Sequence, residues 1–194
     1  MNLRPIILSL VLTLLLGGDL YAHEESLVKV PSRTGIEQKF LLVKPENPTA
    51  AVILFAGGHG GLQLSSLLGM PGMAWGESNF LVRTRKLFAD HGFVAAVIDS
   101  PPDRKQMNAI WRMSAEHARD IHAVIQALKK DFNLPLWVIG TSMGTFSAPN
   151  AAIRLGSEVQ GLVLTSSITR SPKKWKIYSS HPNAIIDMES IEKI

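Results

Sequence analysis

The chain contains the run Leu136-Trp137-Val138-Ile139-Gly140-Thr141-Ser142-Met143-Gly144, in which three local patterns follow one another. Leu136–Ile139 is short and apolar, as expected of a strand that is buried on both faces. Gly140–Gly144 has the form G-x-S-x-G and predicts a tight turn, and Thr145–Leu155 has the composition of a helix. The run therefore predicts a strand, a sharp turn that carries Ser142, and a helix.

Ser142 is the candidate nucleophile. Glycines two residues before it and two residues after it let the strand and helix backbones approach without Cβ clashes, so that a serine can occupy a strained turn. The N-terminus of the following helix directs partial positive charge at the same place. An ordinary serine in a strand–helix turn is the alternative, and the flanking strand and helix favour the nucleophile.

Similar patterns on both sides of this run indicate the fold class. Ala51–Ala56, Phe93–Ile98 and Val159–Leu164 are also short and continuously apolar. Helical spacing fills the intervals: one helix is predicted over Phe80–Phe88, stopping near His91-Gly92, and one long helix over Ile110–Asp131. Alternating buried strands and helices predict an α/β domain, a mostly parallel sheet with helices on both faces.

Two segments fall outside this alternation. Leu27–Val30 and Lys39–Lys44 predict an antiparallel strand pair, because a turn containing proline and glycine separates them. Leu62–Ser78 contains Pro71 and three glycines and is expected to be an irregular excursion.

A glycine-rich loop, Gly57–Gly61, directly follows the first buried strand. Such a backbone can turn its N–H groups toward an oxygen that becomes negative during a reaction. We predict an oxyanion hole made by the N–H groups of Gly58 and Met143, with His59 the next candidate after Gly58. A dinucleotide-binding fingerprint is excluded, because the third glycine of G-x-G-x-x-G would fall on Gln63.

The composition limits the chemistry further. The chain has 194 residues, a formal net charge of +4 and no cysteine. The lack of cysteine excludes disulfides, thiol catalysis, zinc knuckles and iron–sulfur clusters. The basic residues form no run of five or more, so no nucleic-acid partner is expected. We expect one domain that uses neither a metal nor a cofactor.

The N-terminus has the pattern of an export signal. Arg4 precedes the apolar run Ile6–Leu16, and two glycines and Ala22 follow it. As a helix the run would span about 16 Å, against about 30 Å for a bilayer core, which favours a cleaved signal peptide over an uncleaved membrane anchor. We expect residues 1–22 to be a signal peptide, residues 23–194 to form the folded domain, and the protein to be periplasmic or secreted without a stable membrane anchor.

The Gly57–Gly61 loop, the Gly140–Gly144 turn and the strand order over residues 26–165 together resemble the α/β-hydrolase superfamily. The chain is similar to the secreted bacterial esterases and dienelactone-hydrolase-like members of that superfamily. The resemblance implies Ser142 as nucleophile, with oxyanion donors near Gly58 and at Met143. It also implies a serine hydrolase that acts on an ester or related acyl bond of a small molecule.

The resemblance stops short of a complete catalytic triad. In the family the acid follows a later strand and the histidine comes later still, whereas 30 residues follow Leu164. The chain therefore resembles a fragment without the last strands, the acid and the histidine, and we expect it to be nearly inactive alone. His181 follows Ser142 and is either a general base or a loop residue. A non-catalytic pseudo-hydrolase or small-molecule-binding domain is the alternative function.

Two further residues are candidates for the substrate pocket. His59 lies in the glycine-rich loop, and Asp99 directly follows Phe93–Ile98. Ligands of parallel sheets bind in the crevice beyond the carboxyl ends of the strands, which is where Asp99 is expected. A cap on the segment that follows is the alternative role for Asp99.

Overall fold

The structure is a computed structural model that describes residues 23–168. The predicted signal peptide and His181 lie outside the described residues. None of the helices within residues 23–168 combines the length and the apolar character needed to cross a membrane.

The described residues form a six-stranded sheet and a separate two-stranded hairpin. The strands are β1 (Glu24–Pro31), β2 (Glu37–Lys44), β3 (Ala50–Phe55), β4 (Leu64–Leu67), β5 (Met70–Met73), β6 (Phe93–Ile98), β7 (Leu136–Thr141) and β8 (Gly161–Thr165). The large sheet has the order β1-β2-β6-β3-β7-β8, and β4 pairs with β5. Strands β1, β2 and β6 pair antiparallel, whereas β6, β3, β7 and β8 are parallel. The predicted antiparallel pair and mostly parallel sheet are confirmed.

Five α-helices lie within the same residues. They are α1 (Phe80–Arg83), α2 (Arg85–Asp90), α3 (Ala109–Arg112), α4 (Ala115–Phe132) and α5 (Gly144–Leu155), and a 3₁₀ turn follows over Gly156–Glu158.

Helices cover both faces of the large sheet. Alternate residues of a strand point to opposite faces, so β3 places Ile53 in one buried cluster and Leu54 in another. Helices α4 and α5 cover the first cluster, with Val124 of α4 among its buried members. Helices α1 and α2 contribute Leu81 and Ala89 to the second. The prediction of helices on both faces is confirmed.

The prediction of a single helix over Ile110–Asp131 is wrong. Helix α3 ends at Arg112 and α4 begins at Ala115. The helix is interrupted because Ser114, which lies between the two, is the N-cap of α4. Its hydroxyl oxygen accepts a hydrogen bond from the backbone N–H of His117 at 3.1 Å, as side chains at helix starts do.

The helix predicted over residues 80–88 is likewise divided. Thr84 separates α1 from α2, and its hydroxyl donates to the carbonyl of Phe80 at 2.8 Å. A threonine hydroxyl that bonds the preceding turn competes with regular helical geometry.

The segment Leu62–Ser78 is more regular than predicted, because it contains the β4–β5 hairpin. Leu68 and Gly69 form the turn with φ of +52° and +82°. Positive φ at both central residues is the geometry that a two-residue hairpin turn requires.

The sheet brings the two predicted functional segments together. Strands β3 and β7 are parallel neighbours, and their register pairs Phe55 with Gly140. Because parallel strands end at the same edge, the Gly57–Gly61 loop and the Gly140–Gly144 turn leave the sheet side by side.

Candidate active site

Ser142 occupies a strained turn between β7 and α5, with φ of +51°. A non-glycine residue in a sparsely populated backbone region costs of order 1–3 kcal/mol. The flanking glycines permit the turn. A Cβ on Gly140 would lie 2.5 Å from the carbonyl oxygen of Gly144, and a Cβ on Gly144 would overlap the carbonyl oxygen of Phe55. These two positions therefore require glycine for steric reasons, as the sequence predicts.

Backbone hydrogen bonds fix the turn on both sides. The N–H of Ser142 donates to the carbonyl of Thr165 in β8 at 3.1 Å, and the N–H of Thr145 donates to the carbonyl of Ser142 at 2.9 Å. The Ser142 side chain is half-buried, and no side chain within residues 23–168 hydrogen-bonds to its hydroxyl.

The glycine-rich loop lies directly against the serine. A Cβ on Gly57 would be 3.2 Å from the Cβ of Ser142 and 3.4 Å from the Nδ2 of Asn79. Gly58 is exposed, with φ of +60°. The N–H groups of Gly58 and Met143 make no hydrogen bond with another described residue. Both remain predicted oxyanion donors.

Arg112, which no sequence pattern singled out, lies buried beneath this loop. Its Nη2 donates to the carbonyls of Ala56 at 3.2 Å and Gly58 at 3.3 Å. Its Nε donates to the carbonyl of Met107 at 3.3 Å, and its Nη1 to the Ser147 hydroxyl at 3.0 Å. Burial lowers the pKa of Arg112 to about 10, so the guanidinium stays charged at neutral pH. No sequence pattern distinguished Arg112 from the other arginines of the predicted helices.

His117 is close to Arg112 but hydrogen-bonds to Ser147 and not to Ser142. Its Nε2 lies 3.0 Å from the Ser147 hydroxyl. Complete burial, followed by the positive charge of Arg112, lowers the pKa of His117 to about 3. The imidazole is therefore neutral at neutral pH. Within residues 23–168 no group of three or more His, Asp and Glu side chains is placed to hold a metal ion.

Asp99 anchors the chain just beyond the glycine-rich loop. Its buried carboxylate accepts backbone N–H groups from Leu62 at 2.6 Å, Gln63 at 3.2 Å, Leu64 at 2.8 Å and Ser100 at 2.7 Å. Three of these N–H groups belong to residues 62–64, which precede Asp99 in the chain, and one belongs to the segment that follows it. Contact between Asp99 and substrate stays a prediction.

A cavity of about 500 Å³ adjoins the loop and is lined by residues Met73 to Asn79. Trp75 forms the wall nearest the predicted oxyanion hole, since a Cβ on Gly58 would lie 2.9 Å from its Cη2. The ring of His59 stacks on Trp75 with 3.8 Å between the ring centroids, and its Nδ1 accepts the N–H of Gly61 at 3.1 Å. The structure thus places the imidazole of His59 beside the cavity.

Neither a protein-family model nor a curated protein sequence matches the chain. Solved structures do match. An esterase described as cold-adapted, from an Arctic intertidal metagenomic library, has a TM-score of 0.54 at 17% identity, over 76% of this chain and 62% of the esterase. A thermostable carboxyl esterase from Bacillus coagulans has a TM-score of 0.54 at 20% identity, over 84% of this chain and 50% of the esterase. A dienelactone hydrolase from Anabaena variabilis has a TM-score of 0.54 at 19% identity, over 73% of this chain and 62% of the hydrolase.

These likenesses show that the chain shares the fold of two esterases and a dienelactone hydrolase, a mostly parallel sheet with helices on both faces. The chain spans between 50% and 62% of the length of the three solved structures.

Proposed function

We propose that this chain, which has the α/β-hydrolase fold, acts as a serine hydrolase on an ester or related acyl bond, with Ser142 as nucleophile. The observation that carries the proposal is the backbone of Ser142, held at a φ of +51° between β7 and α5. A strained serine at the carboxyl edge of a parallel sheet, between two close-packed glycines, is the arrangement that exposes a nucleophilic hydroxyl.

The reaction begins when the Ser142 oxygen attacks the carbonyl carbon of the substrate. The carbonyl π electrons move onto the oxygen, where N–H groups of Met143 and of the glycine-rich loop stabilise the negative charge. The carbonyl then re-forms as the C–O bond to the alcohol breaks, the departing oxygen takes the proton that Ser142 gave up, and an acyl-enzyme remains on Ser142. Water attacks this ester, releases the acid and restores the serine.

A serine hydroxyl is a weak nucleophile until a base removes its proton. Within residues 23–168, His117 is bonded to Ser147, and no side chain bonds to the Ser142 hydroxyl. We propose that the base comes from outside these residues. His181 is one candidate, and a histidine oriented by an acid from later strands is the arrangement that the family resemblance implies.

The substrate is proposed to be a small-molecule ester. The cavity bounded by Met73–Asn79 adjoins the predicted oxyanion hole at Gly58, and the ring of Trp75, which packs against His59, gives it an aromatic wall. The proposed reaction needs neither a metal nor a cofactor. Export through a signal peptide over residues 1–22 would place the enzyme in the periplasm or outside the cell.

A second function is a pseudo-hydrolase that binds a small molecule without cleaving it. One observation favours it: among the described residues, no side chain contacts the Ser142 hydroxyl through a hydrogen bond. In that case the cavity and the loop serve binding alone.

Covalent labelling separates the two functions. The protein is expressed from its complete coding sequence, treated with a fluorophosphonate probe, digested and mapped by mass spectrometry. We expect the label on Ser142, no label in Ser142→Ala, and normal labelling in Ser65→Ala, which removes an exposed hydroxyl from β4. An unlabelled wild-type protein, or a label elsewhere, would contradict the hydrolase and favour the binding domain.

A further inference from the structure

We infer that Arg112 is a positioning residue for the oxyanion hole, because it turns the Gly58–His59 peptide so that the N–H of His59 faces the reaction centre. The donors would then be His59 and Met143. This inference rests on the proposed function, since it assigns roles within the same site.

The direction of the His59 N–H follows from peptide geometry. Arg112 Nη2 donates to the carbonyls of Ala56 and Gly58, at 3.2 and 3.3 Å. No peptide bond of the described residues is cis, and in a trans peptide the C=O and N–H groups point in opposite directions. When the Gly58 carbonyl points down to the buried guanidinium, the N–H of the same peptide, which belongs to His59, points away from it.

The glycine-rich loop borders the reaction centre. Gly58 is exposed, and a Cβ on Gly57 would lie 3.2 Å from the Cβ of Ser142. The N–H of His59 makes no hydrogen bond with another described residue, so it can serve a ligand. By contrast, the N–H of Gly58 shares its peptide with the carbonyl of Gly57, and Arg112 donates no hydrogen bond to that carbonyl.

Further contacts hold His59 in this orientation. Its carbonyl accepts the N–H of Met107 at 2.8 Å, and its Nδ1 accepts the N–H of Gly61 at 3.1 Å. Gly60 must lack a side chain, because a Cβ there would overlap Arg112 Nη2. The loop is thus shaped around the guanidinium, and residues 23–168 leave the peptide N–H of His59 without a hydrogen-bond acceptor.

The chemistry of Arg112 indicates more than a packing role. A buried charge is costly, and apolar residues of similar volume often stabilise a core equally well or better. The acceptors that the described residues offer Arg112 are neutral: three carbonyls and the Ser147 hydroxyl. A cation bound to the Gly58 carbonyl polarises that peptide, which makes the His59 N–H a stronger donor toward a developing oxyanion.

The test compares Arg112→Lys and Arg112→Gln with Arg119→Lys, which changes an exposed arginine of α4. Each full-length protein is assayed for the rate of Ser142 phosphonylation and for kcat and KM on matched oxo- and thionoesters. Thermal unfolding reports whether each variant is folded. Thionoesters form a thiolate-like intermediate that accepts hydrogen bonds weakly, so they report on oxyanion stabilisation.

For Arg112→Lys we expect kcat on the oxoester and the labelling rate to fall about 10- to 100-fold. This is less than the roughly 100- to 1,000-fold cost of removing an oxyanion donor, because the His59 N–H is displaced and not removed. We expect KM and the thionoester rate to change little, so the oxo-to-thiono ratio falls. Arg119→Lys keeps wild-type values. If both Arg112 variants unfold, the α-hydroxy acid analogue of histidine is placed at position 59. It replaces the peptide N–H of His59 by an ester oxygen and should lower the ratio of the oxoester to the thionoester rate.

A wild-type rate and ratio in folded Arg112→Lys would overturn the inference, and so would an equal loss on both ester types. An unaltered ratio in the protein with the α-hydroxy acid would overturn it as well. Wild-type protein that does not label at Ser142 would instead overturn the proposed function, and this inference with it. The wild-type control therefore distinguishes the two failures.

Discussion

The Asp99 carboxylate accepts the backbone N–H of Leu62 at 2.6 Å and that of Leu64 at 2.8 Å. These bonds tie the end of β6 to the chain directly after the glycine-rich loop. Arg112 holds the start of the same loop through the carbonyls of Ala56 and Gly58. The loop that lies against Ser142 is therefore anchored at both ends by buried charged side chains.

Replacing Asp99 should weaken this anchor. In Asp99→Asn one acceptor oxygen becomes an NH₂ donor that faces backbone N–H groups, so at least one of them loses its partner. We expect the free energy of unfolding in urea to fall by about 1–3 kcal/mol, the usual effect of an unsatisfied buried donor. Ser142 labelling should slow as well. Asp131→Asn, on the exposed end of α4, is the control, and an equal effect of both substitutions would contradict the anchoring role.

Gly144 should tolerate no side chain. A Cβ there would overlap the Phe55 carbonyl, which is rigid backbone of β3. We expect Gly144→Ala to lower the free energy of unfolding by about 3 kcal/mol, as for an overpacked core, and to abolish Ser142 labelling. A Cβ on Gly156 would meet nothing within 4 Å, so Gly156→Ala should stay within about 0.5 kcal/mol of wild type. Comparable stability of the two alanine variants would show that the turn is less tightly packed than the structure indicates.

His117 should make stability depend on pH. Burial lowers its pKa from 6.5 to about 3 in the folded protein, whereas the unfolded chain keeps the ordinary value. As pH falls below 6.5, the unfolded state gains a proton that the folded state does not bind. The contribution of His117 to the free energy of unfolding is therefore complete at pH 7 and decreases toward pH 3, by up to about 1.4 kcal/mol per pH unit.

Urea unfolding between pH 7 and pH 5 measures this dependence. We expect His117→Gln to remove a slope that grows from about a quarter of a proton at pH 7 to nearly one proton at pH 5, because glutamine does not titrate. His91→Gln, which alters an exposed histidine, should leave the dependence as it is. An unchanged slope in His117→Gln would mean that His117 is protonated alike in the folded and unfolded states.

Local pattern was sufficient to predict most of the sheet and the serine turn. Continuous apolar runs of four to six residues marked β3, β6 and β7, because strands buried on both faces must be apolar throughout. The glycines around Ser142 predicted the turn because their role is steric and local. The β4–β5 hairpin escaped prediction because its strands have four residues each, and Pro71 and Gly72 conceal the pattern.

The anchors of the glycine-rich loop could not be predicted in the same way. Arg112 and Asp99 act on backbone atoms that lie far from them along the chain: Asp99 bonds the N–H of Leu62, and Arg112 the carbonyl of Ala56. An arginine that will be buried has the same local pattern as one on a solvated helix face. The helix break before α4 did have a local signal, since Ser114 is a favoured N-cap residue.

Trapping of an acyl-enzyme tests the central claim, nucleophilic attack by Ser142, most directly. The full-length protein is mixed with a nitrophenyl acetate, quenched in acid within the first turnover, and analysed by intact mass and peptide mapping. We predict one acetyl group per chain, located on Ser142 and absent from Ser142→Ala. Acetylation at another residue, or release of nitrophenol without any acetyl group on Ser142 at the earliest times, would contradict the account.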